Sequence, residues 1–187
     1  MLNAFSIPSF LKEFLREITP KEIPVNYKTF YEKHINENKV ELTNIKINNK
    51  ILHQSKLINY LKLEKSKKNP AKDINDFLKK IKKNKKYFFS KKDIILVETF
   101  KSDGIKILEK YDDLYQINDS EIPSDIQIFV NSGDMAAALL RIVEIIGQDN
   151  LNNIDEDTLY FIISTLNQLN VDPLRNRILF KVLPLKV

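Results

Sequence analysis

The chain has no cysteine. Disulfides, thiolate metal sites and cysteine nucleophiles are therefore excluded, and the composition suits a reducing compartment. Glycine is scarce: Gly104, Gly133 and Gly147 are the three in 187 residues. Phosphate-cradling loops need several close glycines so that backbone N–H groups can approach the anion. These three are too far apart for a Walker or dinucleotide motif, which argues against a P-loop or Rossmann enzyme. Histidine is limited to His34 and His53, and arginine to Arg16, Arg141, Arg175 and Arg177. No apolar run approaches the roughly 18 residues that span a bilayer. The opening MLNAFSIPSFLKEF lacks a basic leader and meets Lys12 and Glu13 early, so it does not read as a signal peptide. A cytoplasmic location is expected.

Apolar residues make up 43% of the chain, enough for a real core. The length suits one domain, or one plus a smaller one. Charge is unevenly spread. Residues 1–92 hold 22 Lys/Arg against 9 Asp/Glu, a balance of +13, whereas residues 93–187 hold 8 against 16, a balance of −8. Such asymmetry fits contact with a polyanion through one half, or attraction between the halves. Lys, Asn and Ile are abundant together, as AT-rich coding would also produce.

Helical spacing dominates. Ile7, Phe10, Leu11, Phe14, Leu15 and Ile18 share one helix face, with Pro8 in the first turn and Pro20 beyond the end. Asn26 can cap a second helix carrying Tyr27, Phe30, Tyr31, His34 and Ile35. Over 39–52, Val40 and Leu42 alternate, as do Ile45 and Ile47, and Asn48-Asn49 suits a turn, so a small β-hairpin is expected there. Ser55 is a candidate cap for a helix with Leu57, Ile58, Tyr60 and Leu61. LEKSKKNPAKD reads as a linker, followed by a helix with Asp73 as cap and Ile74, Phe77, Leu78 and Ile81 on its face. DIILVETF is read as a helix capped by Asp93 and closed at Gly104, with strand as the alternative. Loop and short helix are expected over 105–123. Ser124 or Asp125 then caps a helix that runs through Val130 to the Gly133 turn.

The last 54 residues show three cap signals. Asp134 precedes a helix with Ala137, Leu140, Ile142, Val143, Ile145 and Ile146 on a broad apolar surface, closed by Gly147. Asp155 precedes one with Leu159, Ile162, Ile163, Leu166 and Leu169 on one face, ended at Asn170. Asp172-Pro173 opens a third, lined by Leu174, Ile178, Leu179 and Val182 and stopped by Pro184. Short connections predict antiparallel neighbours. The pattern DxxTLxxIIxxLNxLxxDPLRNxILxKVLP resembles the terminal helices of uncharacterised bacterial α-helical repeat proteins, a resemblance covering roughly residues 93–187. It implies a helical array and no activity. No clean internal repeat of about 34–45 residues accompanies it.

Few residues point to chemistry. His34 and Glu37 lie one helical turn apart, but metal sites use three or four ligands. His53 joins them only if folding brings it near. Asp112-Asp113, Asp119/Glu121 and Asp155-Glu156-Asp157 are grouped carboxylates, the last placed where a helix N-terminus wants acids. Arg175 and Arg177 suggest surface ion pairs, with Asp172 or Glu144 as partners. No catalytic, cofactor or metal residue is assigned. Residues 62–92 contain 13 lysines against three acids. Within them Lys79, Lys80, Lys82, Lys83, Lys85, Lys86, Tyr87, Phe88, Lys91 and Lys92 interleave bases with aromatics, a pattern suited to phosphates and unpaired bases. Part of this charge also suits a helix C-terminus.

The expected fold is mainly α, a helical array or bundle with the small hairpin near 39–52. It divides into an N-terminal helical region (1–66), a lysine-rich connector with a short basic helix (67–92) and a C-terminal helical array (93–187). The expected function is a non-enzymatic scaffold or adaptor that binds a protein partner through apolar helix faces. Nucleic-acid binding through 79–92 is the alternative, and a cryptic enzyme built from scattered polar residues is a third.

Overall fold

The computed structural model describes residues 45–62, 69–115, 122–146, 151 and 153–186, together with Val25, Lys28 and Thr29. The expected helix at 7–18 and the His34/Glu37 pair lie outside the described residues. Of the helix expected after Asn26, Lys28 and Thr29 are described, and both are helical. The fold is mainly α. Its α-helices are α1 (Pro70–Lys83), α2 (Lys91–Ser102), α3 (Ser124–Ser132), α4 (Met135–Ile146), α5 (Glu156–Gln168) and α6 (Asp172–Val182). Short 3₁₀ helices occupy Leu52–Gln54, Lys56–Leu61 and Glu109–Leu114. No helix among the described residues is long and apolar enough to cross a membrane.

The alternating residues near 45 do become a strand, with a different partner from the one expected. β1 (Ile45–Lys46) pairs antiparallel with β2 (Leu185–Lys186), Ile45 opposite Lys186 and Lys46 opposite Leu185. The Asn48-Asn49 turn forms, but its side chains wind the chain onward. Asn48 Oδ1 accepts from Lys50 N at 3.0 Å, and Asn49 Oδ1 accepts from Lys56 N at 3.1 Å. The chain therefore enters 3₁₀ turns instead of returning as a hairpin. Residues 39–44 lie outside the described residues.

Helix starts differ from expectation by up to four residues, each for a local reason. Asn69, not Asp73, caps α1: its side chain accepts from Lys72 N, and Pro70 takes the first helical position. That moves Pro70 from the expected linker into the helix. Asp73 falls in the first turn and accepts from Tyr60 Oη at 2.7 Å. Ser90, not Asp93, caps α2, and Asp93 occupies the third position of a reciprocal capping box. DIILVETF is helical, and Gly104 takes the left-handed conformation, φ 73°, that closes it. Pro123 precedes α3, so Ser124 and Asp125 are already helical. Val171 precedes α6, and Asp172 makes no cap bond. Ser55, Asp134 and Asp155 cap as expected, accepting from Leu57 N, Ala137 N and Thr158 N.

One hydrophobic core runs through the described residues. Leu52, Leu57 and Leu61, Ile74, Leu78 and Ile81 of α1, and buried positions of α2, α5 and α6 all belong to it. α2 buries Ile95, Leu96, Val97, Thr99 and Phe100, so it is enclosed on nearly every side. A helix with apolar residues all round belongs at the centre of a fold. α5 makes its broadest contact with α2, and packs more narrowly on α6 and α3. The C-terminal helices are thus less self-contained than their spacing predicts. α3 and α4 form the remaining close pair, joined at Gly133. Leu140, expected on the packing surface of α4, is 69% exposed.

Candidate nucleic-acid interface

The segment between α1 and α2 is organised by one buried carboxylate. Asp93 is 1% exposed and each of its oxygens accepts two hydrogen bonds. Oδ1 takes the His53 backbone N–H at 2.9 Å and lies 2.7 Å from His53 Nδ1. Oδ2 accepts from Tyr87 Oη at 2.9 Å and from Ser90 N at 3.1 Å. Tyr87 Oη in turn accepts from Leu52 N at 2.9 Å. Burial alone would raise the Asp93 carboxyl. The hydrogen bonds and charge of His53 and the Ser90 N–H outweigh it, and the carboxyl sits below its ordinary range. Burial also pushes the Tyr87 phenol well above its usual value; the Leu52 N–H opposes this and the Asp93 carboxylate reinforces it.

His53 is thus a buried structural residue. Serine, histidine and aspartate do meet here, but not as a nucleophile relay. Ser90 Oγ lies 3.3 Å from Nδ1, the same nitrogen that faces Asp93. A relay needs the hydroxyl on the opposite ring nitrogen. Ser90 Oγ is also the acceptor for Asp93 N. The sequence carried a signal for this centre, because Ser90-Lys-Lys-Asp93 has capping-box spacing. Its partners His53 and Leu52 arrive from 40 residues away and have no local signature.

This centre fixes how the aromatic run faces. Tyr87 is tied to Asp93, and Phe89 stacks on Tyr115 with ring centroids 5.5 Å apart. Tyr87 and Phe89 also meet edge-on at 6.2 Å. Phe88, between them, takes part in neither anchor and is 85% exposed. Anchoring to the core accounts for two of the three aromatics and leaves the middle one in solvent.

The predicted lysines divide into two groups. Lys79, Lys80, Lys82, Lys83, Lys85 and Lys86 are all exposed around the end of α1 and the turn after it. Lys82 is engaged: its Nζ donates to Lys110 O at 2.5 Å and lies 3.3 Å from Asp113 Oδ2. The other five form no ion pair with a described residue. Lys91 and Lys92 turn away, toward the first turn of α5. Lys91 pairs with Asp157, and Lys92 Nζ lies 3.9 Å from Glu156 Oε1. A helix C-terminus carries only about half a negative charge. Five further lysines exceed what that dipole can balance.

A second buried polar centre contains Arg175. Its side chain is 1% exposed, so it is not the surface residue that the sequence suggests. Nη2 donates to Asp103 Oδ1 at 2.6 Å, and Nη1 donates to Asn167 Oδ1 at 3.0 Å and lies 2.9 Å from Asp172 Oδ1. Nε and Nη2 both reach Asn176 Oδ1 at 3.0 Å. Glu144, the other partner considered, pairs with Arg141. Burial raises the Asp103 carboxyl against the pull of Arg175, with Asp172 adding to the rise. Each donor here is matched by a fixed acceptor, as expected of a centre that locks helices together. Among the described residues no group of three or more His, Cys, Asp or Glu is placed to hold a metal ion.

No protein-family model matches this chain, and neither the curated proteins nor the solved structures contain a significant match to it.

Proposed function

We propose that the protein binds nucleic acid through the surface formed by Lys79, Lys80, Lys83, Lys85, Lys86 and Phe88. One observation carries this reading: an outward-facing phenylalanine, its two neighbours anchored inward, lies in the same segment as five exposed lysines that form no ion pair with a described residue. Lysines neutralise phosphates and release condensed counterions. With no arginine in the block, bidentate reading of base edges is not favoured, so binding is expected to tolerate sequence. A cytoplasmic location belongs to this reading.

Salt titration of oligonucleotide binding is the test. If all five lysines neutralise phosphates, log K falls with log salt at a slope of about −3.5 for a single strand and −4.5 for a duplex. That costs a single strand roughly a hundredfold in affinity between about 50 and 200 mM salt. Changing Lys83, Lys85 and Lys86 to Ala should flatten the slope by about 2. Lys82→Ala should leave the slope nearly unchanged, since Lys82 is already paired with Asp113. No binding at low salt, or a slope indifferent to the triple variant, would overturn the reading.

A second reading, a scaffold that binds a protein partner, is favoured by apolar side chains left in solvent on the α3–α4 pair. Ile128 is 64% exposed, and Leu140 more so. The test of this reading is capture of a folded partner that a Leu140→Glu variant fails to hold.

A further inference from the structure

We infer that the ligand is single-stranded, and that Phe88 is the platform on which one unpaired base stacks while Lys83, Lys85 and Lys86 neutralise neighbouring phosphates. This rests on the nucleic-acid reading above and narrows it to a ligand class.

The geometry of Phe88 is the first argument. Its ring makes no ring contact with the aromatics among the described residues, whereas Tyr87 and Phe89 are each committed to such contacts. A duplex hides its base faces within the stack, so a protruding ring finds a free π-face only on an unpaired base. The second argument is preorganisation. The backbone on either side of Phe88 is held by the Tyr87 hydroxyl and by the Ser90 N–H, both bonded to the buried Asp93. A ring already held outward loses little further freedom on binding. The third is the arrangement of charge. Asn84 turns the chain at the end of α1, its side chain accepting from Lys86 N at 3.2 Å and its carbonyl from Tyr87 N at 2.9 Å. Lys83, Lys85 and Lys86 therefore lie within five residues of Phe88, around a single turn. Lys79 and Lys80 extend the ridge back by about 6 Å along α1, one helical turn.

An anionic membrane is the competing polyanion. Basic clusters are drawn to such surfaces, but lasting attachment needs substantial buried apolar area. Here the two aromatics flanking Phe88 face inward, so a single ring would have to insert.

The experiment uses the full chain and four substitutions at one exposed position. Phe88→Ala, Phe88→Leu, Phe88→Tyr and Phe88→Trp are compared for binding to a 20-nucleotide oligo(dT), its RNA counterpart, a mixed-sequence duplex and phosphatidylserine vesicles. Stacking predicts roughly tenfold weaker single-strand binding in both Ala and Leu variants, with the salt slope unchanged. Tyr and Trp should retain affinity. The chain contains no tryptophan, so Phe88→Trp introduces a single one whose emission can be excited selectively over the tyrosines. Its emission should be quenched by the single strands and much less by the duplex.

Equal affinity of the Ala variant and the parent would overturn the stacking inference while leaving the lysine surface intact. Duplex binding as tight as single-strand binding would do the same. Leu retaining full affinity where Ala fails would replace stacking with plain apolar contact. Binding to vesicles but to no oligonucleotide would overturn both this inference and the reading beneath it.

Discussion

Replacing Asp93 by Asn removes a charge and one acceptor oxygen while keeping the shape of the side chain. Asp93 serves four donors with two oxygens, Oδ1 for both His53 groups and Oδ2 for Tyr87 and Ser90. An amide retains one oxygen, so two of the four donors lose their acceptor and face an N–H₂ group. Hydrogen bonds to charged groups contribute roughly 1.5–3 kcal/mol each. The loss is then about 3–6 kcal/mol, concentrated at a site with almost no access to water. For a chain of this size, melting should fall by about 2–4 °C per kcal/mol, or roughly 6–24 °C. Urea unfolding gives the free energy directly, and the slope of the transition shows whether the variant still unfolds in one step. Asp157→Asn is the control. It breaks an exposed pair with Lys91 and should cost less than about 1 kcal/mol.

The same variant makes a second, independent statement about acid. The Asp93 carboxyl is held below its ordinary range in the folded chain. Between that folded value and the unfolded value, near ~3.9, the unfolded chain binds more protons. Stability therefore rises with pH across this window. The contribution is complete above the unfolded value and is lost as pH falls through the folded one. Asp93→Asn should flatten that part of the acid limb as well as lowering the plateau. A variant within 1 kcal/mol of the parent at neutral pH, with an unchanged acid limb, would refute the assignment of Asp93 as the organising group.

Arg175→Ala empties a buried site and leaves the Asn167 and Asn176 side chains without their donor, so urea unfolding should show a loss of about 3–5 kcal/mol. Arg175→Met, which restores apolar volume, should recover at least ~1 kcal/mol of that, and a loss under about 1 kcal/mol in Arg175→Ala would show that the centre is dispensable. Leu140→Glu lies on an exposed face and should leave stability within about 0.5 kcal/mol, so any partner it fails to capture is lost through the surface and not through unfolding.

Period and caps were legible in the sequence wherever the determinants are local. The faces of α1 and α5 follow largely from spacing: Ile74, Leu78 and Ile81, then Leu159, Ile162, Ile163 and Leu166, are buried, while the expected Phe77 and Leu169 are half-buried and Thr165 is buried as well. Asp155 reads as a cap and acts as one, because its acceptor and the donor of Thr158 are three residues apart. Asp93 and Asp172 mislead for a shared reason. Each is an acid near a helix start with a partner other than the expected backbone N–H: Asp93 takes His53 from 40 residues away, which leaves no trace in local spacing, and Asp172 pairs with Arg175 three residues on. The fate of the lysine block was half legible. Composition shows its charge, yet only the fold shows that Lys82, Lys91 and Lys92 are committed to Asp113, Asp157 and Glu156. Only the fold, too, separates Phe88 from Tyr87 and Phe89, since three consecutive aromatics look alike until their partners are placed.

The two buried polar centres occupy opposite ends of α2, with signs that suit the helix. Asp93, an anion, lies in its first turn, and Arg175, a cation, bonds to Asp103 at its C-terminal boundary. A helix dipole favours this order, negative charge at the N-terminus and positive at the C-terminus. Each centre also draws in chain from far away: Leu52 and His53 at one end, α5 and α6 at the other. α2 has almost no solvent face of its own, so its ends are where distant segments can be tied to it by directional bonds. The candidate interface is a consequence of the first tie. Tyr87 and Ser90 both reach Asp93, and Phe89 is packed on Tyr115, so the residues on either side of Phe88 are held inward while Phe88 itself is exposed. The exposure of Phe88 is therefore set by the buried carboxylate behind it, and a surface that depends on a core hydrogen-bond centre in this way is held rigid, as a stacking platform requires.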